Sequence, residues 1–600
     1  MATPTRIPLR SEIPIEHTWD LTVIYPDDSA WQQAVEALQG DLAEAAALEG
    51  TVAQGPQALL RALEMRDQVF RQMESIHVYA SMRKDSDSTD PDAQALTERS
   101  GSLLARVKAT LAFLEPEILA LSDEALHEWQ AQEPKLALYD RALYELTRKR
   151  PHVRSGEVEN IVAQLSDVTR APGEVFDILT NADLAFPTIE DEAGQAVTLS
   201  PGRFLRFMQS PDRRVRADAF HGFYAAYHTV RNTLGMTLAA AIRSHVVNAR
   251  IRNHASALEA ALHPNDIPPA VVHNLVATVD ANLPLLHRYM RLRKKTMGLE
   301  ELRFYDLYAP LVPEADLVVS YPEAKSILQQ ALAPLGPAYA DVLRQAFAER
   351  WIDVYENSGK RSGAYSGGAY DTPAFILLNY QDRLNDMFTL AHELGHSAHS
   401  YFTRRTQPFV YGDYTIFVAE VASTVNEALL TNYLLNTRQD PALRKHLIVQ
   451  QLEEIRTTLL RQTMFATFEL HIHQSAEQDQ PLTTEAMSKP YFDLVARYHG
   501  PEVVLDEEMA LEWARIPHFY YNFYVYQYAT GLSAALALSR QILDEGQPAV
   551  DRYLRFLSTG SSRSSIDMLR DAGVDMTTPA PIEQAMRTFG QLLDQLEALS

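Results

Sequence analysis

The sequence predicts a mainly α fold. Three observations point there. Long stretches are rich in Ala, Leu, Glu, Gln and Arg, which are strong helix formers. Glycine supplies only 24 of the 600 residues. Apolar residues recur at spacings of three and four along most of the chain, the signature of helices with one buried face. With 46% hydrophobic and 22% charged residues the composition is that of a globular protein. The length predicts several domains or one large lobed molecule.

Helical patterns follow one another from Ala30 to Asp183, among them Pro56 to Met82 and Pro91 to Phe113. The texture changes at Leu184 to Ser200, where Phe186 to Ile189 and Ala196 to Leu199 flank an acidic turn around Gly194, the pattern of a β-hairpin. We therefore divide the chain into an N-terminal helical region, 1–190, and a C-terminal region, 191–600. Helical patterning resumes from Pro201 to Thr296, with the basic residues of Pro211 to Arg216 expected on a solvated face. A second break at Phe304 to Pro322 precedes helices at Ala324 to Ala333 and Ala338 to Glu349.

Asn357 to Tyr380 stands apart, with four glycines followed by the apolar run Ala374 to Leu378. It reads as a glycine-rich segment leading into a strand. Such a segment lets a bound peptide backbone approach and pair as an added strand, or it cradles phosphate, or it is a plain hairpin loop beside a core strand. It lacks the Lys and Ser/Thr order of a phosphate-binding P-loop.

The net charge of −24 argues against a surface that neutralises nucleic-acid phosphates. No cysteine is present, which excludes disulfides, thiolate catalysis and cysteine-ligated metal, so any zinc must rest on histidine and carboxylate. The first twenty residues lack the apolar run of a signal peptide, and nowhere do about 18 uninterrupted apolar residues appear that could span a bilayer. A cytoplasmic protein with no membrane partner is expected.

The chemistry concentrates at His392-Glu393-Leu394-Gly395-His396. Leu384, Met387, Phe388, Ala391, Leu394 and Ala398 recur at helical spacing around it, so the motif sits within an amphipathic helix. His392 and His396 then share one face and can converge on a zinc ion. Glu393 lies one position round and can reach a water on that ion without ligating it. Zinc lowers the pKa of bound water to about 7, and a neighbouring carboxylate takes the proton as the water attacks a carbonyl carbon. Glu393 is the general-base candidate.

A catalytic zinc needs a third protein ligand. The metzincin spacing would place Gly and His at the third and sixth positions after the second histidine, where this chain has His399 and Phe402. His399 shares the helix face, yet three ligands on one rigid helix would straddle about 10 Å of rise, too far for one ion. It reads as a polar neighbour. Glu420, set among Phe417, Val418, Ala419 and Val421, is expected to be partly buried, and a buried carboxylate usually has a cation to justify it. Glu427 lies seven residues on and on the same face. It is the rival ligand, or an acceptor for a ligand histidine's second nitrogen.

At these residues the chain resembles oligoendopeptidase F, of the thimet-oligopeptidase-like M3 family of zinc peptidases. The resemblance takes in HELGHSAH, FVAEVASTVNE and IPHFYYNFYVYQYATG, and extends to HTWDLTVIYP, GKRSGAYS and DAGVDMTTP, so it spans nearly the whole chain. It implies one zinc ion bound by His392, His396 and Glu420, with Glu393 as base. It further implies a helical two-lobed ellipsoid with a deep central channel, a small β-sheet near the zinc, and cleavage of short peptides rather than folded proteins.

The segment His518 to Tyr528 packs seven Phe or Tyr residues into eleven positions, against 9% aromatic residues overall. An aromatic core helix is one reading. The resemblance implies another, in which His518 and tyrosines bind substrate and stabilise the oxyanion, and it likewise implies that the glycine-rich segment binds substrate backbone. Tyr521 and Tyr528, seven apart and so on one helix face, are the chosen tyrosines, with Tyr524 the rival. The expectation is a zinc-dependent endopeptidase. A helical zinc carboxypeptidase and a non-catalytic peptide-binding protein are its rivals.

Overall fold

The structure, a computed structural model, describes residues 6–312 and 317–599. Within the break expected at Phe304 to Pro322, residues 313–316 lie outside the described residues. Helices dominate, and the described strands form three small sheets of two, two and three strands. The fold is mainly α. Among the described residues no helix is long and apolar enough to cross a membrane.

The chain forms two compact units, each assembled from separated segments. The first comprises Met1–Arg150, Asp316–Leu434 and Leu538–Gly573, and the second Pro151–Ala315, Leu435–Ala537 and Val574–Ser600. Residue 190 falls within the second unit, in the hairpin of Thr188–Glu190 and Ala196–Thr198. That hairpin turns where the sequence expects it, with Gly194 in the left-handed region at φ 74°.

In the first unit, helices Asp28–Ala46, Pro56–Ser86 and Pro91–Thr110 enclose a core of Trp31, Leu38, Val69, Met73, Leu103 and Val107. Their starts follow from local chemistry. Asp27 accepts from the Ala30 amide at 2.9 Å and Asp90 from the Asp92 amide at 2.9 Å, and Pro56 and Pro91 occupy first-turn positions that need no amide donor. Each fully buried aliphatic side chain there contributes about 1.5–3 kcal/mol.

The three-stranded sheet of this unit has Phe375–Leu377 at its centre, parallel to Ile352–Asp353 and antiparallel to Tyr365–Gly367. The central strand is buried throughout, which explains its unbroken apolar run, whereas Tyr365–Gly367 is an edge strand. Asp353 is fully buried and held by Lys360 at 2.7 Å and by Arg10 at 2.8 Å. Both cations keep its carboxyl below the usual range against the opposing effect of burial.

The second unit is built on long helices, including Arg213–Thr229, Arg231–Ile251, Ala270–Thr296 and Arg461–Glu477. The basic run Pro211 to Arg216 does not form the solvated face expected of it. Arg213 and Arg216 both clasp the fully buried Asp306, at 2.9 and 2.8 Å, and Arg216 is itself buried. The buried carboxylate, distant in sequence, is the reason. The side chains of Arg213 and Arg214 stay partly exposed, at 41% and 45%.

Candidate metal centre

The motif lies on the helix Leu384–Thr406. Its start is fixed by Asp386, whose Oδ2 accepts from the amides of Gln381 at 2.8 Å and Arg383 at 3.0 Å, a carboxylate well placed in the first turn. Leu384, Met387, Phe388, Ala391, Leu394 and Ala398 are all buried, as their spacing requires. Ser397 ties the helix to the sheet beneath it, donating to the Ala374 carbonyl at 3.0 Å with Ser366 Oγ at 2.8 Å.

A second helix, Ile416–Thr437, crosses the first at Gly395. A Cβ at Gly395 would fall 2.5 Å from Ser423 Cα and 2.6 Å from the Ala422 carbonyl, so the two backbones meet there with no room for a side chain. Beside the crossing, the fully buried Asn426 donates to the Ala391 carbonyl at 2.9 Å and accepts from Tyr339 Oη at 2.8 Å. This buried clamp sets the spacing of the helices.

The crossing brings three donor atoms together. His392 Nε2 and His396 Nε2 are 3.2 Å apart, and Glu420 Oε2 lies 3.2 Å from the first and 3.3 Å from the second. Ligands about 2.0–2.1 Å from a tetrahedral zinc are separated by about 3.3 Å, so this triangle fits that ion. Glu427 does not join it. Its Oε1 meets the other face of His392, 3.0 Å from Nδ1, and so fixes which nitrogen points inward.

Glu420 departs from expectation in one respect: its side chain is 53% exposed, not buried among its apolar neighbours. Phe417, Val418 and Val421 face the core while the carboxylate projects toward the histidines. Hydrogen bonds to His392 and His396 hold its carboxyl far below the usual range. Ser423 Oγ, 3.1 Å from Oε2, steadies it. His392 is pushed up to about 10, because its bonds to Glu420 and Glu427 outweigh a burial that opposes its charge. Glu393 is buried at 6% exposure, and that burial raises its pKa against the opposing pull of His392 and His396.

His399 takes no part in the triangle. It is fully buried and stacked on Tyr414, ring centroids 3.6 Å apart and planes 1° apart, and burial pushes it down to about 3. In the second unit the aromatic segment is not one helix. It runs through the turn Pro517–Tyr520, passes Asn522 and Phe523 in the left-handed region at φ 51° and 58°, and enters a helix only at Tyr526. The helix-face argument for Tyr521 and Tyr528 is therefore incorrect, because these two residues break the helical path between them. Both tyrosines nevertheless surround His518, with ring centroids at 5.6 and 6.0 Å, and Tyr524 joins them at 6.2 Å.

The model of the family described as peptidase family M3 matches residues 206–588. The chain belongs to peptidase family M3. A second family model, oligopeptidase F, matches residues 117–186. The chain is 46% identical to oligopeptidase PepF of Bacillus subtilis, over 99% of this chain and 89% of that protein. It is 41% identical to group B oligopeptidase PepB of Streptococcus agalactiae, over 98% of each. The crystal structure of oligoendopeptidase-F from Enterococcus faecium superposes with a TM-score of 0.73 at 40% identity, covering 95% of this chain and 99% of that one. Among M3 peptidases this one is a metallo-endopeptidase of the oligoendopeptidase F type, and its histidine and glutamate cluster has the donor set a metal requires.

Sequence reasoning passed over Gly395, Ser423 and Asn426, which shape this M3 peptidase's site without ligating. Gly395 lay within the motif itself, and a glycine inside a strong helix is a signal of close backbone approach. Ser423, one turn after Glu420, was visible as spacing. Asn426 gave no signal, since its partner is a carbonyl on another helix.

Proposed function

We propose that this M3 peptidase hydrolyses internal bonds of short oligopeptides, using one zinc ion held by His392, His396 and Glu420 with Glu393 as general base. The observation that carries the reading is the triangle of donor atoms, 3.2 to 3.3 Å on each side, next to a buried glutamate. The printed names of the relatives, oligopeptidases and an oligoendopeptidase, support the substrate class.

When bound, zinc supplies a Lewis acid that polarises the scissile carbonyl and acidifies a water. Glu393 takes the proton of the attacking water and delivers it to the leaving amine nitrogen, a role suited to a carboxylate whose pKa burial has raised. Glu427 holds His392 in the tautomer that turns Nε2 inward. His518, Tyr521 and Tyr528 are proposed, on the family resemblance, to donate hydrogen bonds to the oxyanion, where one donor is worth about 3 kcal/mol.

Substrate backbone is proposed to pair with the edge strand Tyr365–Gly367. The backbone just beyond it is already engaged: Arg404 donates to the Gly368 and Ala369 carbonyls, Thr372 Oγ1 accepts from the Ala369 amide, and Glu74 accepts from the Tyr370 amide.

Glu393→Gln tests the mechanism: zinc should stay bound and turnover should fall to background, and substantial retained activity would overturn the assignment. Mass-spectrometric mapping of cuts in peptides blocked at both ends, with and without a chelator, tests the reaction. Internal cuts abolished by chelation are expected. Cuts only at free C-termini would identify a carboxypeptidase instead.

A further inference from the structure

A second group of metal-competent side chains lies in the second unit, on residues that the M3 reading does not use. His152 closes the turn Arg150–His152, His254 follows the helix Arg231–Ile251, and His263 opens the turn His263–Asn265. One ring nitrogen of each lies within 4.8 Å of the others. The ring centroids of His152 and His254 are 3.6 Å apart, and His263 lies edge-on at 4.5 and 5.2 Å from them.

The surroundings prepare these imidazoles to act as ligands. His152 Nδ1 lies 2.9 Å from the Arg252 carbonyl, to which it donates, so its Nε2 carries the free lone pair. His254 Nδ1 is buried without a hydrogen-bond partner, an arrangement that costs free energy unless something else satisfies it. Arg252, whose charge acts on His254, is engaged by both carboxylate oxygens of Glu159 at 3.0 Å. Burial, reinforced by His152, His263 and Arg252 against the opposing Glu259, pushes His254 down to about 4, so it is neutral at physiological pH.

We propose that His152, His254 and His263 form a second metal site, a three-imidazole site for a divalent transition ion of the zinc class, which staples three turns of the second unit together. Three imidazole ligands suit zinc, cobalt, nickel or copper and not magnesium or calcium. The planes of His152 and His254 are 8° apart. A shared ion therefore requires one ring to turn about its Cβ–Cγ bond until both planes converge on it. The site stands independently of the proposed catalytic zinc, and ordinary stacking of the rings is the competing outcome.

Cobalt titration of the chelator-stripped full chain tests this, because tetrahedral cobalt absorbs in the visible. The intact chain should take up two equivalents. His254→Ala and the milder His263→Asn should each take up one. His392→Ala, which leaves the three-imidazole cluster untouched, should also take up one and should melt at a higher temperature with cobalt than without it. The proposal is overturned if the intact chain binds only one equivalent and His392→Ala abolishes it, if the His254 and His263 variants bind as many equivalents as the intact chain, or if His392→Ala binds none. Loss of the other equivalent alone would count against the catalytic site and not against this one.

Discussion

His392 is gripped from both sides by one helix: its Nε2 lies 3.2 Å from Glu420 and its Nδ1 3.0 Å from Glu427. The two glutamates are seven residues apart, two turns, so one helix face supplies both contacts. Glu427→Ala removes the group that fixes the ring's orientation and leaves the donor triangle intact. Metal affinity should fall about tenfold to a hundredfold, measured by competition with a chelator of known strength. Affinity equal to that of the unaltered chain would refute the positioning role.

Gly395→Ala tests the helix crossing. The new methyl would lie 2.5 Å from Ser423 Cα and 2.6 Å from the Ala422 carbonyl, and neither backbone atom can yield without moving its helix. We expect a stability loss of about 1–3 kcal/mol in denaturant unfolding. Because the displaced helix carries Glu420, metal binding should weaken as well. A variant of ordinary stability and affinity would mean that the helices tolerate separation.

These two residues illustrate what a sequence discloses. The helical period around His392, the seven-residue spacing of Glu420 and Glu427, and the turn at Gly194 are local patterns, and the structure reproduces each of them. The clamp of Asn426 on Ala391 and the burial of Arg216 against Asp306 join residues distant in sequence, and no local pattern announces them. The aromatic segment misled differently. Its period suggests a helix, but Asn522 and Phe523 adopt left-handed backbone, which propensity does not foretell for a phenylalanine.

That strained turn rests on a buried acid. Glu469 Oε1 accepts from the Phe523 amide at 3.0 Å, and burial, only partly offset by that bond, pushes the carboxyl up to about 8 from an ordinary 4.5. A folded-state pKa above the unfolded one means that the native state binds the extra proton. Between pH 4.5 and about 8 this group should therefore lower stability by about 1.4 kcal/mol per pH unit, an order-of-magnitude slope. Glu469→Gln keeps an acceptor for Phe523 and removes the titration. Its melting temperature should match the parent near pH 4.5 and exceed it increasingly toward pH 8. A gap independent of pH would rule out the buried titration.

Arg404 lies three turns along the motif helix from Glu393 and donates to the carbonyls of Gly368 at 3.1 Å and Ala369 at 3.0 Å. It therefore couples the helix that bears the motif to the backbone immediately after the edge strand Tyr365–Gly367. If substrate pairs with that strand, loosening its anchor should weaken binding without disturbing proton transfer at Glu393. Arg404→Met preserves most of the packing and removes both hydrogen bonds. We expect KM to rise by about tenfold for peptides long enough to span the strand, with kcat within about twofold, a split that corresponds to lost ground-state binding. Dipeptide-sized substrates, too short to pair along the strand, should be affected less. A fall in kcat at constant KM would instead place this backbone in the chemical step and remove the support for strand pairing.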